Sequence, residues 1–255
     1  MKKYELDMVV KVSERYASGL LHLVLGLPDG SPMPQMLPGQ FVEVAVDRAK
    51  VLLNRPISIF NRTDESLELL VAPIGTATKA LCEYVPGDTL RVIGPLGHGF
   101  TTAFARGTRV LLMGGGVGIA PLYYQARQLV EQGCHPEVVY GNRSAQDAEI
   151  CSRFADVAPL HLCTDDGSAG FHGLVTAHPA VSSGFAFMQV CGPKPMMKAC
   201  ARAAATLGIE AEVSLENQMA CGLGACLCCV EDTADGNVCV CKNGPVFNTT
   251  QLKWQ

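Results

Sequence analysis

The chain has 255 residues, 48% of them hydrophobic and 17% charged, with a formal net charge of −4. That is apolar material for two packed domains with room for a small appendage, and with no basic run and no long uninterrupted apolar window it excludes a nucleic-acid grip and a membrane span as organising features. The start, MKKYELDMVVKV, alternates where a secretory signal would run apolar, and the 12 cysteines then predict a reducing compartment, the cytoplasm.

Residues 1–103 read as strands. Alternating or short apolar runs at 6–12, 20–27, 40–46, 67–72 and 89–93 are separated by Pro28-Asp29-Gly30, Pro38-Gly39 and Pro86-Gly87-Asp88. Short strands at this spacing predict an antiparallel sandwich or barrel. Two segments in it invite a ligand. Arg55-Pro56-Ile57-Ser58, expected at the end of a strand, offers a guanidinium for a pyrophosphate and a hydroxyl for a ring nitrogen. Alone it reads more readily as a surface turn. Gly75-Thr76-Ala77-Thr78 precedes a helical pattern and can present N–H groups to a phosphate, or simply cap a helix.

Residues 104–215 change period. Strands at 109–113, 137–140, 160–163, 186–191 and 210–215 alternate with helices at 119–132, 147–155 and 195–207, the pattern of a parallel, doubly wound sheet. After its first strand comes Gly114-Gly115-Gly116-Val117-Gly118, continuing Ile119-Ala120-Pro121 into a helix. This suits a pyrophosphate on a helix N-terminus, with more glycines than a packing turn needs. The usual dinucleotide fingerprint is incomplete: Ile119 replaces its third glycine, and the next strand ends at Asn142 without a ribose-binding acid. Cys191-Gly192-Pro193 again joins a strand to a helix, at the sheet edge where such folds bind ligands, although Cys191 alone reads as a core thiol.

Residues 216–255 are too few to bury a core of their own and hold six of the cysteines. Cys221, Cys226, Cys229 and Cys241 follow C-x4-C-x2-C…C, the spacing of a plant-type [2Fe–2S] cluster held by four thiolates. Structural zinc and unligated thiols are the alternatives. Zinc sites usually pair two short knuckles or include histidine, whereas here one knuckle stands alone and no histidine follows His178. On spacing alone Cys228 competes with Cys229 and Cys239 with Cys241. The x2 interval favours Cys229, and Cys241 directly precedes the KNGPVF turn. The remaining thiols, Cys82, Cys134, Cys151, Cys163, Cys191 and Cys200, read mostly as small core residues.

RPIS, then GGGVGIAP, then CGPKPM is similar to the ferredoxin–NADP reductase superfamily. With the cysteine tail and its GPVF sequel, the whole chain resembles the electron-transfer subunits of type B dihydroorotate dehydrogenase. The resemblance implies an FAD-binding barrel, an NAD-binding α/β domain and a [2Fe–2S] domain. It also implies a partner subunit, carrying FMN, that oxidises dihydroorotate to orotate in pyrimidine synthesis, in a heterotetramer of two plus two. Carried onto this chain, Arg55 would hold the FAD phosphate, Ser58 would approach the flavin, and Leu70, Val71 and Ala72 would run beside it. Gly75, Thr76, Ala77 and Thr78 would meet the diphosphate, although Ala77 stands where relatives often have glycine. The GGGVG turn with Cys191, Gly192 and Pro193 would hold NAD(H), and no side chain need act as a catalytic acid or base. A flavin and iron–sulfur subunit of an NADH-dependent ferredoxin–NADP or sulfide reductase is the alternative. Those commonly carry an acidic first ligand, and Cys221 stands there. A regulatory module retaining only the fold is an alternative of another class.

Overall fold

The structure is a computed structural model that describes residues 2–254, apart from the side chains of Asp147 and Ala148. Its first strands are β1 (Tyr4–Arg15), β2 (Leu21–Gly26), β3 (Phe41–Val44), β4 (Arg55–Arg62) and β5 (Leu67–Val71); a short helix, α1 (Thr76–Leu81), and β6 (Thr89–Leu96) follow. They close into an antiparallel barrel in the order β1–β2–β5–β4–β3–β6. Alternation explains the closure. Val42 and Val44, Ile57 and Ile59, Leu67 and Leu69 send every second side chain into one core, where Met8, Leu23 and Leu25 meet them. RPIS therefore opens β4 and does not end a strand, because the inward alternation begins at Ile57 and runs on.

The second domain contains β7 (Arg109–Gly115), α2 (Ala120–Glu131), β8 (His135–Asn142), β9 (Leu160–Thr164), β10 (Phe171–His172), β11 (Phe187–Cys191), α3 (Lys194–Leu207) and β12 (Glu210–Ser214). Its strands pair in parallel in the order β10–β9–β8–β7–β11–β12. The segment expected as a helix at 147–155 is a 3-10 run, Ala145–Phe154. The glycine that ends α3, Gly208, takes the left-handed φ of 69° that stops a helix cleanly.

The tail contains β13 (Val230–Thr233), β14 (Gly236–Cys239), a single helical turn α4 (Val240–Asn243) and β15 (Val246–Asn248). β13 and β14 form a hairpin, while β15 joins the large sheet antiparallel to β12, with Val213 opposite Phe247. The tail, too short for a core of its own, shares one with the rest of the chain. Cys229, Val240, Cys241 and Phe247 share one core with Val190 and Val213 of the sheet and with Phe41 and Leu96 of the barrel.

Two polar junctions lock barrel and sheet. Glu68 accepts from Asn61 Nδ2 at 2.7 Å and from Arg153 at 3.0 Å, and lies 2.7 Å from His22 Nε2. Arg127 donates to Asn61 at 2.8 Å, and Phe60 stacks on Tyr123 with ring centroids 4.6 Å apart. At the other junction Glu212 accepts from the Thr101 amide and from Gln189, both at 3.0 Å, fastening the linker to the sheet. Buried polar groups satisfied in this way fix the relative placement of the domains.

Candidate cofactor and metal sites

Arg55 stands at the barrel rim, its Nη1 donating to the carbonyls of Leu53 at 2.7 Å and Asn54 at 3.1 Å. Those bonds tether the guanidinium and leave its other N–H groups for an anion. Pro56 and Ser58 are half-buried and alternate with Ile57 and Ile59 of the barrel core. On β5, Leu70 belongs to the core between the domains and Val71 to the barrel core, while Ala72 is half-buried just beyond the strand.

The Gly75 turn is a capped helix start. Thr78 Oγ1 accepts the Gly75 N–H at 3.0 Å and donates to its carbonyl at 3.1 Å. Helix geometry leaves the N–H groups of Thr76 and Ala77 without intrahelical partners. The Ala77 methyl lies in the barrel core, so its departure from glycine changes packing beneath the turn.

The glycine turn and the CGPKPM turn, far apart in sequence, meet at the carboxyl ends of neighbouring strands, with Cys191 opposite Gly114. Gly114 and Gly115 are the last residues of β7, and Gly116, Val117 and Gly118 form a 3-10 turn into α2. The glycine count is explained largely by packing. A Cβ on Gly115 would lie 2.5 Å from Met196 Sδ, and one on Gly118 would lie 2.6 Å from the Cys191 carbonyl. Gly116 alone of the four, with φ 54°, has open space beside it. Gly192 packs back on the Gly115 backbone, and Pro193 precedes the first turn of α3. Cys191 is buried, and that burial drives its thiol far above the usual range, so it behaves as a neutral, shaped wall.

Sequence reasoning missed Glu216. It leaves the end of β12 near Cys191, and although solvent-accessible it is crowded enough that desolvation raises its carboxyl pKa. No motif marks it; strand pairing alone brings it there. A cavity of about 530 Å³ lined by Thr101, Phe104, Phe187, Ile209 and Glu212 lies at the opposite, amino-terminal end of the strands, away from both turns.

At the cysteine loop the contacts pair the thiols two and two. Cys221 takes hydrogen bonds from Cys226, and Cys241 is hydrogen-bonded to Cys229, whose sulfur also accepts the Cys241 amide at 3.4 Å. Among the described residues no three ligand-type side chains surround one ion-sized point. Two irons with two thiolates each ask for exactly two such pairs, so the residues present fit a [2Fe–2S] group. The Leu223 amide donates to Cys221 Sγ at 3.4 Å and, ahead of other contacts, brings that thiol down to about 6. Burial first, then Cys229, pushes the Cys241 thiol up to about 12. Of the competitors, Cys228 is exposed, while Cys239 is buried with its sulfur 3.9 Å from the Gly224 carbonyl. The loop needs left-handed backbone at Gly222, Gly224 and, less comfortably, Leu227, with φ of 63°, 82° and 57°.

A sequence profile of the iron–sulfur cluster binding domain of dihydroorotate dehydrogenase B matches residues 216–253. The electron transfer subunit of dihydroorotate dehydrogenase B (NAD(+)) from Shouchella clausii is 41% identical over 219 residues, spanning 82% of this chain and 84% of that one. Its namesake from Listeria monocytogenes is 34% identical over 259 residues, spanning 98% of this chain and 99% of that one. Among solved structures, that of an NADH-dependent reduced ferredoxin-NADP oxidoreductase, described for flavin-based electron bifurcation, superposes with a TM-score of 0.81 at 29% identity. It covers 98% of this chain and 90% of that one. The ferredoxin reductase of carbazole 1,9a-dioxygenase, at 22% identity and a TM-score of 0.66 over 82% of this chain and 67% of that one, shares the fold.

Proposed function

The chain belongs to the family of electron-transfer subunits of NAD+-dependent dihydroorotate dehydrogenase B, and on that premise we propose that it relays electrons from a partner subunit's FMN to NAD+. It is an oxidoreductase subunit with FAD, a [2Fe–2S] cluster and NAD(H) as cofactors. Flavin converts between the hydride chemistry of nicotinamide and the single-electron chemistry of an iron–sulfur centre. The observation that carries the reading is likeness along almost the whole chain, so that barrel, parallel sheet and cysteine tail correspond together.

The roles we assign follow from the geometry above. Arg55 binds the FAD phosphate as a charge-assisted donor, and Ser58 orients the flavin. Leu70, Val71 and Ala72 shield its flank from water, and the first-turn amides of Thr76 and Ala77, between Gly75 and Thr78, take the diphosphate. Gly114 through Gly118, with Gly192 and Pro193, let the nicotinamide cofactor approach the backbone, and the neutral Cys191 thiol fills the space beside its ring. Cys221, Cys226, Cys229 and Cys241 hold the cluster, and no side chain need move a proton as a catalytic acid or base. The domain limits we use are 1–103, 104–215 and 216–255.

The partner is an FMN-containing catalytic subunit in a two-plus-two heterotetramer, working in the cytoplasm. No helix among the described residues is long and apolar enough to cross a membrane. Leu223 and Leu227, 46% and 65% exposed on the cysteine loop, are the apolar surface such a partner would cover. The test is co-expression with the FMN subunit of the same organism. The expected result is a stable complex in which dihydroorotate reduces NAD+, while this chain alone reduces dyes with NADH and leaves dihydroorotate untouched. Dihydroorotate oxidation by this chain alone, or no association, would sink the proposal. The close superposition on the NADH-dependent reduced ferredoxin-NADP oxidoreductase supports a second reading, with ferredoxin as the exchange partner. The higher identity to the dihydroorotate dehydrogenase subunits favours the first.

A further inference from the structure

β3 alternates like its neighbours, with Val42 and Val44 in the barrel core and Phe41 in the core shared with Cys229 and Cys241. Glu43 therefore leaves the barrel on the flank that the cysteine loop covers. It is only 2% exposed, and neither carboxylate oxygen has a hydrogen-bond partner. A carboxylate buried without partners is costly, and in a native fold such a group calls for a reason. Its surroundings supply one. A Cβ on Gly222, the residue after Cys221, would lie 2.8 Å from Glu43 Cγ and 2.9 Å from its Oε1. On the strand side, Glu43 pairs with Pro56 and its neighbour Val44 with Arg55. The carboxylate thus lies against the residue that follows the first cluster ligand, one strand position from the pair that carries Arg55.

We propose that Glu43 is a positioning residue that places a negative charge beneath the Cys221 side of the [2Fe–2S] cluster and holds down the cluster's reduction potential. The proposal rests on the cluster assignment made above. Net charge and local polarity are among the determinants of iron–sulfur potentials, and in a dry site a nearby carboxylate opposes the arriving electron strongly. Packing explains why the charge stays close: the left-handed Gly222 has no side chain to keep Glu43 away from the loop. The carboxyl responds to this setting. Burial, the largest influence, raises its pKa against the pull of Arg55.

The experiment uses the full chain, purified anaerobically with its cofactors, as wild type, Glu43→Gln and Glu43→Asp. Iron, acid-labile sulfide and FAD are quantified first. The cluster and flavin midpoint potentials are then measured by redox titration followed by electron paramagnetic resonance and absorbance. All three proteins are titrated at the same alkaline pH, well above the ordinary carboxylate range. The expected result is full cluster loading in all three, an upward shift of the cluster potential in Glu43→Gln, a smaller flavin shift, and a potential near wild type in Glu43→Asp. An unchanged or lowered cluster potential in Glu43→Gln overturns the proposal, and so does a larger shift of flavin than of cluster. An equal shift in Glu43→Asp assigns the effect to packing and overturns it too, as does loss of the cluster in Glu43→Gln. A wild-type chain without iron and sulfide contradicts the cluster assignment itself, a failure distinct from these.

Discussion

Two buried glutamates on the outer face of the barrel live under opposite conditions. At the junction with the parallel sheet, Glu68 is met by His22, Asn61 and Arg153. On the flank under the cysteine loop, Glu43 has no partner for either oxygen. Burial raises both carboxyls, but at Glu68 the hydrogen bonds of His22 and Asn61 and the charge of Arg153 outweigh it and hold the pKa below the usual value. At Glu43 burial wins. The loop above Glu43 carries exposed leucines, and Leu227 sits in left-handed backbone that a leucine adopts only under strain. At the junction the chain itself meets both oxygens of Glu68, whereas the loop is shaped for groups that the polypeptide does not supply.

The comparison breaks most visibly at the cysteines. Cys226→Ser removes one thiolate of a pair and should abolish the iron–sulfur absorption, while Cys228→Ser, with its exposed thiol outside both pairs, should leave the absorption unchanged. Hydrogen exchange on the Cys226→Ser protein should show loosening confined to residues 217–240, because β15 remains paired to β12. Loss of absorption in Cys228→Ser with retention in Cys226→Ser would show that other sulfurs bind the cluster.

At the junction, Glu68→Ala leaves Arg153 and Asn61 without their shared acceptor and should cost about 3 kcal/mol in urea unfolding, in the range for breaking a buried charge pair. The sign of the pH dependence follows from the lowered pKa. Glu68 contributes stability above its ordinary value of 4.5, and that contribution is lost as pH falls through the depressed value. A Glu68→Ala protein equal to wild type in stability at neutral pH would mean that the junction is no more complete than the loop.

The rim between the two regions is tested by Arg55→Ala. Removing a charge-assisted contact of about 1.5–3 kcal/mol should weaken FAD binding roughly ten- to a hundredfold, so the protein should purify with less than one FAD per chain. Equal flavin content in variant and wild type defeats the assignment of Arg55.

The smallest expected difference is in nicotinamide choice. At the end of β8 the chain offers the buried Asn142 and then the exposed Arg143, and the acids beyond them include Asp147, which lies outside the described side chains, and Glu149. A single arginine near acids is a poor clamp for a 2′-phosphate. Dye reduction should therefore show a higher kcat/KM with NADH than with NADPH, and the reverse order contradicts the NAD assignment.

Much of this was legible in advance where chemistry is local. The change from two-residue to helical periodicity near residue 104 separates barrel from parallel sheet, and x4 and x2 intervals between thiols suffice to suggest a two-iron cluster, since adjacent ligands must reach one centre. The placement of RPIS failed by a strand's length because its proline reads as a terminator, whereas at the first position of a strand a proline is tolerated. The surplus of glycines in GGGVG read as a phosphate cradle; three of the four are explained by Ile119, Met196 and the Cys191 backbone, neighbours that only folding brings close.

By itself, then, the sequence determined the order of the domains, the cluster-type thiol spacing and the strand–glycine–helix turns, because these depend on residues within a few positions of each other. The tertiary structure alone decided that β15 completes the parallel sheet, that the two turns at Gly118 and Cys191 pack on one another, and that Glu43 lies unpartnered under Gly222. Those arrangements are set by strand pairing and side-chain packing between segments far apart in the chain, and neither periodicity nor spacing carries that information.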